Sequence, residues 1–412
     1  MRVPFRLWFT AALVFWSTTV GKSESSPLIL ISLDGFRSDY LDLFPAESPT
    51  LRSMRREGVT ARGLIPVFPS NTFPNHYTLV TGLYPARHGI INNDFFDPAT
   101  GQFFRFNQPQ TIRDSRWWGG EPIWVTAIKQ GRKAATAFWV GSDVAIGGIR
   151  PTFWREYDSR ISFEKRLDEV TGWFRMPAGQ RPELIAFYLE DANGAGHRHG
   201  PASREVAAAI QLLDTRVALL LESARRTGAE PNVVIVSDHG MTATSPQRVA
   251  LLEEYIDLKA VQVDSEGSVA GLRPLDGDVE KLMRAARRIP HASAYRSEDL
   301  PKHFHFSGNP RIAPVWILPD EGWHVVHKAT FERLRTRYSH AGYIQGDHGY
   351  DPKIPTMHGT FVAHGPAFRR GAEIPEVESV HVYNLLCAVL KLKPAPNDGD
   401  DRLVRGALVR GH

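Results

Sequence analysis

The sequence predicts an α/β protein with a central, mostly parallel sheet, helices on both faces of that sheet, and a smaller inserted lobe. The main signal is a set of apolar runs that are too short for helices and do not alternate, which is typical of strands buried on both faces. The four runs span residues 27–35, 183–197, 232–240 and 360–368. Helical patterns lie between the runs, and this alternation favours a parallel sheet.

Each run ends in polar residues. The first, PLILISLDG, ends at Asp34-Gly35, and the second, ELIAFYLEDANGAGH, leads into a helical pattern that Gly228 closes. NVVIVSDHG and TFVAHGPAF supply the third and fourth strands. In sheets of this type the ligand crevice lies beyond the carboxyl ends of the strands, so we expect these polar residues to meet there.

The chain organisation indicates one large domain. No Gly/Ser-rich or Pro-rich linker divides residues 25–400, and no internal repeat is visible. Residues 250–345 differ in texture, with short strand-like pieces around a basic helix, and we interpret them as a lobe inserted over one edge of the site. The polar, basic residues 401–412 are expected to form a loosely ordered tail.

Composition excludes several classes of protein. A chain of 412 residues with 42% hydrophobic and 23% charged residues is neither disordered nor fibrous. Its net charge of +4 is small for this length, so a nucleic-acid-binding surface and a stable nucleic acid complex are not expected.

The first residues have the profile of a signal peptide, which we assign to residues 1–24. Arg2 and Arg6 precede an apolar run over residues 7–20, which is shorter than the roughly 20 residues of a spanning helix. The only cysteine, Cys387, lies in an apolar run and cannot form an internal disulfide. We therefore expect an exported protein without a membrane span after cleavage, located in a bacterial periplasm or secreted.

Carboxylates and imidazoles follow several of the predicted strands. Asp34, the segment 191–197 and the pair Asp238-His239 follow the last apolar residues of predicted strands, and His197 and His348 lie in glycine-rich loops. A single Asp-His pair is consistent with a turn and a helix cap. Four such loops together favour the ligand set of a zinc-type metal site.

Thr72 stands just before Phe-Pro and the start of a predicted helix. Taken alone, this position is typical of a helix N-cap, because Pro74 suits the first turn. Beside a divalent cation, however, the hydroxyl becomes usable as a nucleophile. The backbone N–H of Phe73 could then stabilise charge on a phosphoryl oxygen.

These segments resemble the nucleotide pyrophosphatase/phosphodiesterase family, in the alkaline phosphatase superfamily, as a bacterial-type member. The similarity runs in order over residues 27–399 and is carried by LDGFR, PSNTFPNHYTLVTGLYPARHGIINNDFFDP, YLEDANGAGHRHGP, SDHGM, GDHGYD and YNLLCAVLKLKPAPNDG. The resemblance implies an alkaline-phosphatase-like fold and a zinc-dependent hydrolase. It would cleave nucleotide phosphodiesters and pyrophosphates to nucleoside 5′-monophosphates through a covalent threonine intermediate.

The resemblance also implies roles for individual residues. Thr72 would be the catalytic nucleophile, and Asn93 would bind a nonbridging phosphate oxygen. Phe73 and Tyr188 would hold the nucleobase between aromatic faces. Two Zn²⁺ ions are implied, one held by Asp34, Thr72, Asp238 and His239, and the other by Asn193, His197 and His348. The remaining histidines are interpreted as structural, with His358 as the second choice for the metal: His76, His88, His358 and His364.

Asn193 departs from the family pattern, which has an aspartate four residues before His197. A neutral amide supplies no charge to a zinc site, so the second metal should bind more weakly. Three interpretations compete. Asp191 could substitute, although a spacing of two at a strand end tends to alternate faces; a weaker or different metal could be used; or the protein could be impaired in turnover and act as a nucleotide-binding protein.

Other activities of the superfamily are less favoured by the sequence. A phosphomonoesterase or phosphonate hydrolase would need cationic groups for a doubly charged substrate, and no Lys or Arg lies within residues 70–84 beside Thr72. The only cysteine is remote from that segment, which disfavours a sulfatase. We expect a small-molecule phosphodiester substrate.

Overall fold

A computed structural model describes residues 26–177, 179–228 and 230–411. The assigned signal peptide therefore lies outside the described residues. Within them, no helix combines the length and the apolar character needed to cross a membrane.

The main sheet has eight strands, and it confirms the predicted α/β class. In spatial order they are Ala372–Ile374, Val59–Ala61, Phe361–His364, Asn232–Val236, Leu28–Leu33, Leu184–Leu189, Ala134–Ala137 and Phe153–Arg155. The strand Leu28–Leu33 is central and pairs in parallel with a neighbour on each side. The fourth predicted strand, Phe361–His364, instead runs antiparallel to both of its neighbours.

The central strands are buried on both faces, as their continuous apolar runs predict. Along Leu28–Leu33, Leu28 and Leu30 join the hydrophobic core on one face, and Ile29, Ile31 and Leu33 join the core on the other. This division follows from the two-residue repeat of a strand.

Helices cover both faces of the sheet. In chain order, the helices of the described residues are Tyr40–Leu43, Pro49–Glu57, Thr72–Thr81, Pro85–His88, Pro109–Ile112, Ile123–Lys129, Phe163–Arg175, Asp191–His199, Arg204–Arg225, Val279–Ala286, Lys328–Arg337, Val382–Val389 and Arg402–Ala407. Two of them, Val279–Ala286 and Lys328–Arg337, belong to residues 250–345, and Val279–Ala286 packs in the core of that lobe. Phe163–Arg175 and Arg204–Arg225 contribute to one core, whereas Ile123–Lys129 and Val382–Val389 contribute to the other.

Residues 250–345 contain a separate four-stranded antiparallel sheet with its own apolar core. Its strands are, in spatial order, Val261–Ser265, Ala270–Pro274, Val315–Pro319 and Ala292–Arg296. The remaining strands form two-stranded pairs: Asp94–Asp97 with Gln102–Arg105, Thr242–Ala243 with Gly346–Asp347, Val249–Leu251 with His324–Val326, and Leu64–Ile65 with Val377–Glu378.

The end of the chain differs from the expected loose tail. Residues Arg402–Ala407 form a helix, and Leu403 and Ala407 are fully buried against the main core. The polar composition hid two apolar positions that lie four residues apart, a spacing that places both on one face of a helix. The tail is therefore anchored by packing.

Candidate active site and metal centre

The polar residues that follow the central strands meet at one edge of the sheet, as expected. Asp34 directly follows the strand Leu28–Leu33, and Asp238 and His239 follow the neighbouring strand Asn232–Val236. The ligand atoms of these three residues lie within 4.8 Å of one another. We call Asp34, Asp238 and His239 the first ligand group.

The first ligand group is arranged as a cation site would require. His239 Nε2 lies 3.0 Å from Asp238 Oδ2 and 3.4 Å from Asp34 Oδ1. Its Nδ1 lies 2.8 Å from the carbonyl oxygen of Gly240, a contact that orients the ring and leaves Nε2 directed at the carboxylates. Oxygen and imidazole ligands of this kind suit zinc and similar divalent metals.

The two carboxylates of the first ligand group repel each other in a buried site. Burial, followed by repulsion from Asp238, raises the pKa of Asp34 to about 7. Asp34 Oδ1 is buried and has no hydrogen-bond partner among the described residues. A bound divalent cation would satisfy this oxygen and offset the repulsion, so the residues fit a metal ion.

A second ligand group consists of His197, Asp347 and His348, whose ligand atoms also lie within 4.8 Å of one another. His197 Nδ1 lies 2.8 Å from the carbonyl oxygen of Gly346, and His348 Nδ1 lies 3.0 Å from that of Ser70. Both contacts leave Nε2 free to bind a metal. The rings of His348 and His239 stack with centroids 3.5 Å apart, so the two groups adjoin.

Asp347 was missed by the sequence analysis. Its Oδ2 lies 3.0 Å from His324 Nε2, and its Oδ1 accepts a hydrogen bond from the backbone N–H of His348. Burial opposes ionisation, but the hydrogen bond and charge of His324 hold the pKa of Asp347 well below its usual range. The signal was present, because Asp347-His348 repeats the Asp-His-Gly pattern of residues 238–240.

Thr72 is the first residue of the helix Thr72–Thr81, and Asn71 occupies the cap position. The simple interpretation of Thr72 as the N-cap is therefore wrong. Thr72 Oγ1 lies 3.2 Å from His239 Nε2, which brings the hydroxyl to the first ligand group.

Asn193 and His197 lie one turn apart in the helix Asp191–His199, so both face the site. Asn193 Oδ1 is buried without a hydrogen-bond partner in the described part of the chain. Asp191, in contrast, forms an ion pair with Arg216. Asp191 therefore does not substitute for the expected carboxylate, because its side chain leaves the helix on a different face.

Asn93 is held beside Thr72 by the backbone. Its Oδ1 accepts a hydrogen bond of 2.9 Å from the N–H of Phe73. This corrects the expectation that the Phe73 N–H is free for a phosphoryl oxygen. Because Oδ1 is the acceptor, the Nδ2 group of Asn93 remains as the donor that could serve that oxygen.

An aromatic cavity of about 800 Å³ opens beside Thr72. Its aromatic lining consists of Phe73, Phe106, Phe138, Trp139, Tyr157 and Tyr188. Tyr188 is only 8% exposed, and its hydroxyl donates to Asp34 Oδ2, so little of its ring is available to a base. Tyr157 is 49% exposed and was not identified from the sequence, where it lies in a loop without a motif.

The other histidines lie outside the two ligand groups. His76 is fully buried, with Nε2 2.8 Å from Ser32 Oγ and Nδ1 3.2 Å from Asp238 Oδ2, so it supports the first group from behind. His358 Nε2 contacts the carbonyl oxygen of Pro352 instead of either group. His88 is fully buried, and burial lowers its pKa to about 3.

The eight-stranded sheet, with two adjoining groups of carboxylates and histidines at its carboxyl edge, defines the class of α/β proteins with an alkaline-phosphatase-like fold and a candidate two-metal centre. The chain belongs to the type I phosphodiesterase/nucleotide pyrophosphatase family, whose model matches residues 28–351. This membership confirms the resemblance predicted from the sequence motifs.

Known relatives agree with this assignment. The chain is 38% identical over 387 residues to the venom phosphodiesterase CdcPDE of Crotalus durissus collilineatus, covering 91% of this chain and 46% of the relative. It is 36% identical over 389 residues to human ectonucleotide pyrophosphatase/phosphodiesterase family member 1, covering 91% of this chain and 41% of the relative. The chain thus spans about half the length of the curated relatives it matches.

Solved structures agree with the fold. Murine ectonucleotide pyrophosphatase/phosphodiesterase 5 superimposes with a TM-score of 0.86 at 33% identity, covering 93% of this chain and all of that one. An inactive form of the same murine protein has been solved in complex with AMP, with the same TM-score, identity and coverage of this chain.

Proposed function

We propose that this protein is a zinc-dependent phosphodiesterase and pyrophosphatase that hydrolyses nucleotide diesters and pyrophosphates to nucleoside 5′-monophosphates. The main observation in support is the position of Thr72 Oγ1, which lies 3.2 Å from His239 Nε2 and lines the aromatic cavity. The names of the relatives and the AMP complex of the murine protein support the nucleotide assignment.

The residues of the chain have distinct roles in this proposal. Thr72 Oγ1 forms a bond to phosphorus while the bond to the leaving-group oxygen breaks, and water then displaces Thr72 and restores the hydroxyl. Asn93 Nδ2 donates to a nonbridging phosphoryl oxygen. Phe73, together with Tyr157 or the predicted Tyr188, contacts the base by stacking. One water is consumed in each cycle.

Two metal ions would complete the site. The first would be held by Asp34, Asp238, His239 and Thr72, and the second by His197, His348 and Asn193, with Asp347 close enough to orient or bind it. When bound, these ions would activate the hydroxyl and stabilise the charge of the phosphoryl oxygens.

The cations of the aromatic cavity favour a diester over a monoester. Three arginines line it, and each is paired with a carboxylate: Arg113 with Glu156, Arg155 with Glu169, and Arg160 with Asp158. A doubly charged phosphate monoester would need unpaired cations near Thr72. We further propose that the mature protein is exported, in line with the signal peptide predicted for residues 1–24 and with relatives named as venom and ecto-enzymes.

The test is hydrolysis of the p-nitrophenyl ester of thymidine 5′-monophosphate with zinc present. We expect Thr72→Ala to lower kcat by at least about a thousandfold, because no other group takes over the covalent step. Thr72→Ser should retain part of the activity, since it keeps the hydroxyl. If Thr72→Ala keeps the activity of the unsubstituted chain, the threonine mechanism is wrong.

A second candidate function is nucleotide binding with impaired turnover. The observation that favours it is the neutral Asn193 at a position where the second metal needs charge. Metal analysis of the purified protein separates the two candidates. Two metals with turnover support the enzyme, whereas one metal with AMP binding and no turnover supports the binding protein.

A further inference from the structure

A second cavity lies on the other side of the reaction centre. It has a volume of about 640 Å³ and is polar, in contrast to the aromatic cavity. Its walls include His197, Asp347 and His348 from the second ligand group and residues 263–269 from the inserted lobe. Asn93 lines both cavities, so the two substituents of a phosphodiester bound at Thr72 would enter different environments.

The wall beside Asn93 carries Asp94, which faces Arg105 across the hairpin of Asp94–Asp97 and Gln102–Arg105. Arg105 Nη1 lies 3.8 Å from Asp94 Oδ1, which is buried and makes no hydrogen bond within the described residues. The side chain of Asp94 is nevertheless 32% exposed and lines the polar cavity, so its charge acts on a group bound there.

The opposite wall, from the lobe, is also acidic. Glu266 Oε2 accepts a hydrogen bond of 2.6 Å from the backbone N–H of His327, and its Oε1 accepts one of 2.6 Å from Thr330 Oγ1. Arg333 donates to the same Thr330 hydroxyl at 3.1 Å. Asp264 accepts from Arg273 at 2.6 Å.

These contacts decide which chemical groups the polar cavity can hold. Of the described residues that line it, two carry guanidinium groups. Arg105 lies 3.8 Å from Asp94, and Arg333 donates to the Thr330 hydroxyl, which itself donates to Glu266. A terminal phosphate would have to draw Arg105 away from Asp94, and it would face the carboxylates of Asp94 and Glu266. Sugar hydroxyls, in contrast, can donate hydrogen bonds to carboxylate oxygens.

We infer that the polar cavity binds the leaving group of the substrate and selects one that ends in a hydroxylated group, such as a sugar, over one that ends in a phosphate, with Asp94 as a specificity-determining residue. This inference rests on the proposed function. It names nucleoside diphosphate sugars and related dinucleotides as the preferred class over nucleoside triphosphates.

The test compares ADP-glucose with ATP, because both release AMP when the bond at the α-phosphorus is cleaved and they differ in the terminal group. We expect kcat/KM to favour ADP-glucose by about tenfold. Asp94→Asn removes the carboxylate partner of Arg105 and should lower the ratio of kcat/KM for ADP-glucose to kcat/KM for ATP about threefold. Asp94→Lys should lower this ratio further or reverse the preference. In each case the change should come from faster cleavage of ATP.

Control variants test whether a change in the substrate ratio comes from charge at the polar cavity or from loss of a carboxylate elsewhere. Asp276→Asn removes an exposed carboxylate of the lobe that does not line the cavity, and it should leave the ratio unchanged. Thermal unfolding and the nitrophenyl ester assay show whether each Asp94 variant is folded and active. If Asp94→Lys does not fold, Asp94→Asn still tests the ratio.

The outcomes are distinct. If the unsubstituted chain cleaves ATP as well as ADP-glucose, or if the Asp94 variants leave the ratio unchanged while cleaving the nitrophenyl ester, the inference is overturned and the proposed function stands. If Arg333→Gln selectively lowers ATP cleavage, the cavity is a polyphosphate site and the inference is wrong. If none of the three substrates is cleaved, the proposed function itself fails.

Discussion

The two ligand groups at the edge of the sheet differ in charge and burial. In the first group, Asp34, Asp238 and His239 are each no more than 1% exposed, and two carboxylates converge on one imidazole. In the second group, the side chains of His197 and Asp347 are 20% and 22% exposed, and the neighbouring Asn193 adds no charge. A cation in the first group would be held by two buried carboxylates and one imidazole, whereas one in the second group would have two imidazoles and the single carboxylate of Asp347.

The largest effect is expected from the first group. Asp238→Asn should lower kcat/KM for the nitrophenyl ester by about a thousandfold, because the buried site loses half of its carboxylate charge. Metal analysis of the same preparation should show about one metal fewer than in the unsubstituted chain.

Asp191→Asn is the matched control, since this carboxylate lies close to the second group in sequence but is paired with Arg216. It should retain the metals and most of the activity. A severe loss of metal in Asp191→Asn, or full activity in Asp238→Asn, would remove the distinction between the two groups.

A smaller effect, in the opposite direction, is expected from the second group. Asn193→Asp adds a charge next to His197 and should tighten binding of the second metal by about tenfold. The rate of hydrolysis at limiting zinc should rise together with this affinity, whereas the rate at saturating zinc should change less. Titration with zinc measures both, and an unchanged affinity would mean that Asp347 already supplies the charge of this group.

The smallest effect is expected at Asp143, a carboxylate that belongs to neither ligand group. Burial, followed by repulsion from Glu156, raises the pKa of Asp143 to about 7, and its Oδ1 is buried without a hydrogen-bond partner in the described ranges. Asp34 has a similarly raised pKa, but it has His239 beside it. Asp34 thus belongs to a candidate cation site, whereas Asp143 does not.

The sign of the effect follows from this raised pKa. The folded state holds the proton of Asp143 more tightly than the unfolded state does, so stability is lost as the pH rises from about 4 to about 7, and the full loss remains above pH 7. Asp143→Asn should therefore raise the free energy of unfolding by about 1–2 kcal/mol at pH 8, after allowance for solvent exposure, and leave it unchanged at pH 4. Urea unfolding at the two pH values measures this difference, and equal effects at both would show that Asp143 titrates normally.

Several site residues could be predicted because they follow directly from strands. Asp34, Asp238 and His239 come immediately after buried runs, and parallel strands carry such residues to one edge of the sheet. His197 could be predicted from the glycine-rich motif in which it lies. The pattern could not show that the hydroxyl of Tyr188 turns to Asp34, since this depends on which side chains surround it in the packed core.

Other features depend on contacts between distant segments. The strand Phe361–His364 is antiparallel because of how the chain returns to the sheet, which its apolar composition does not encode. Tyr157 reaches the aromatic cavity from a loop without a motif, and Asp347 reaches the second group through the pairing of Thr242–Ala243 with Gly346–Asp347.

The sequence by itself determined the α/β class and the family, and it predicted all three residues of the first ligand group, because strand periodicity and short motifs are local properties of the chain. Only the tertiary structure decided that Asp191 pairs with Arg216 instead of replacing the missing carboxylate. It also decided that Asn93 lies between an aromatic and a polar cavity. The physical reason is that the direction of a side chain, and the charge it meets, depend on segments far apart in sequence that are brought together only by folding.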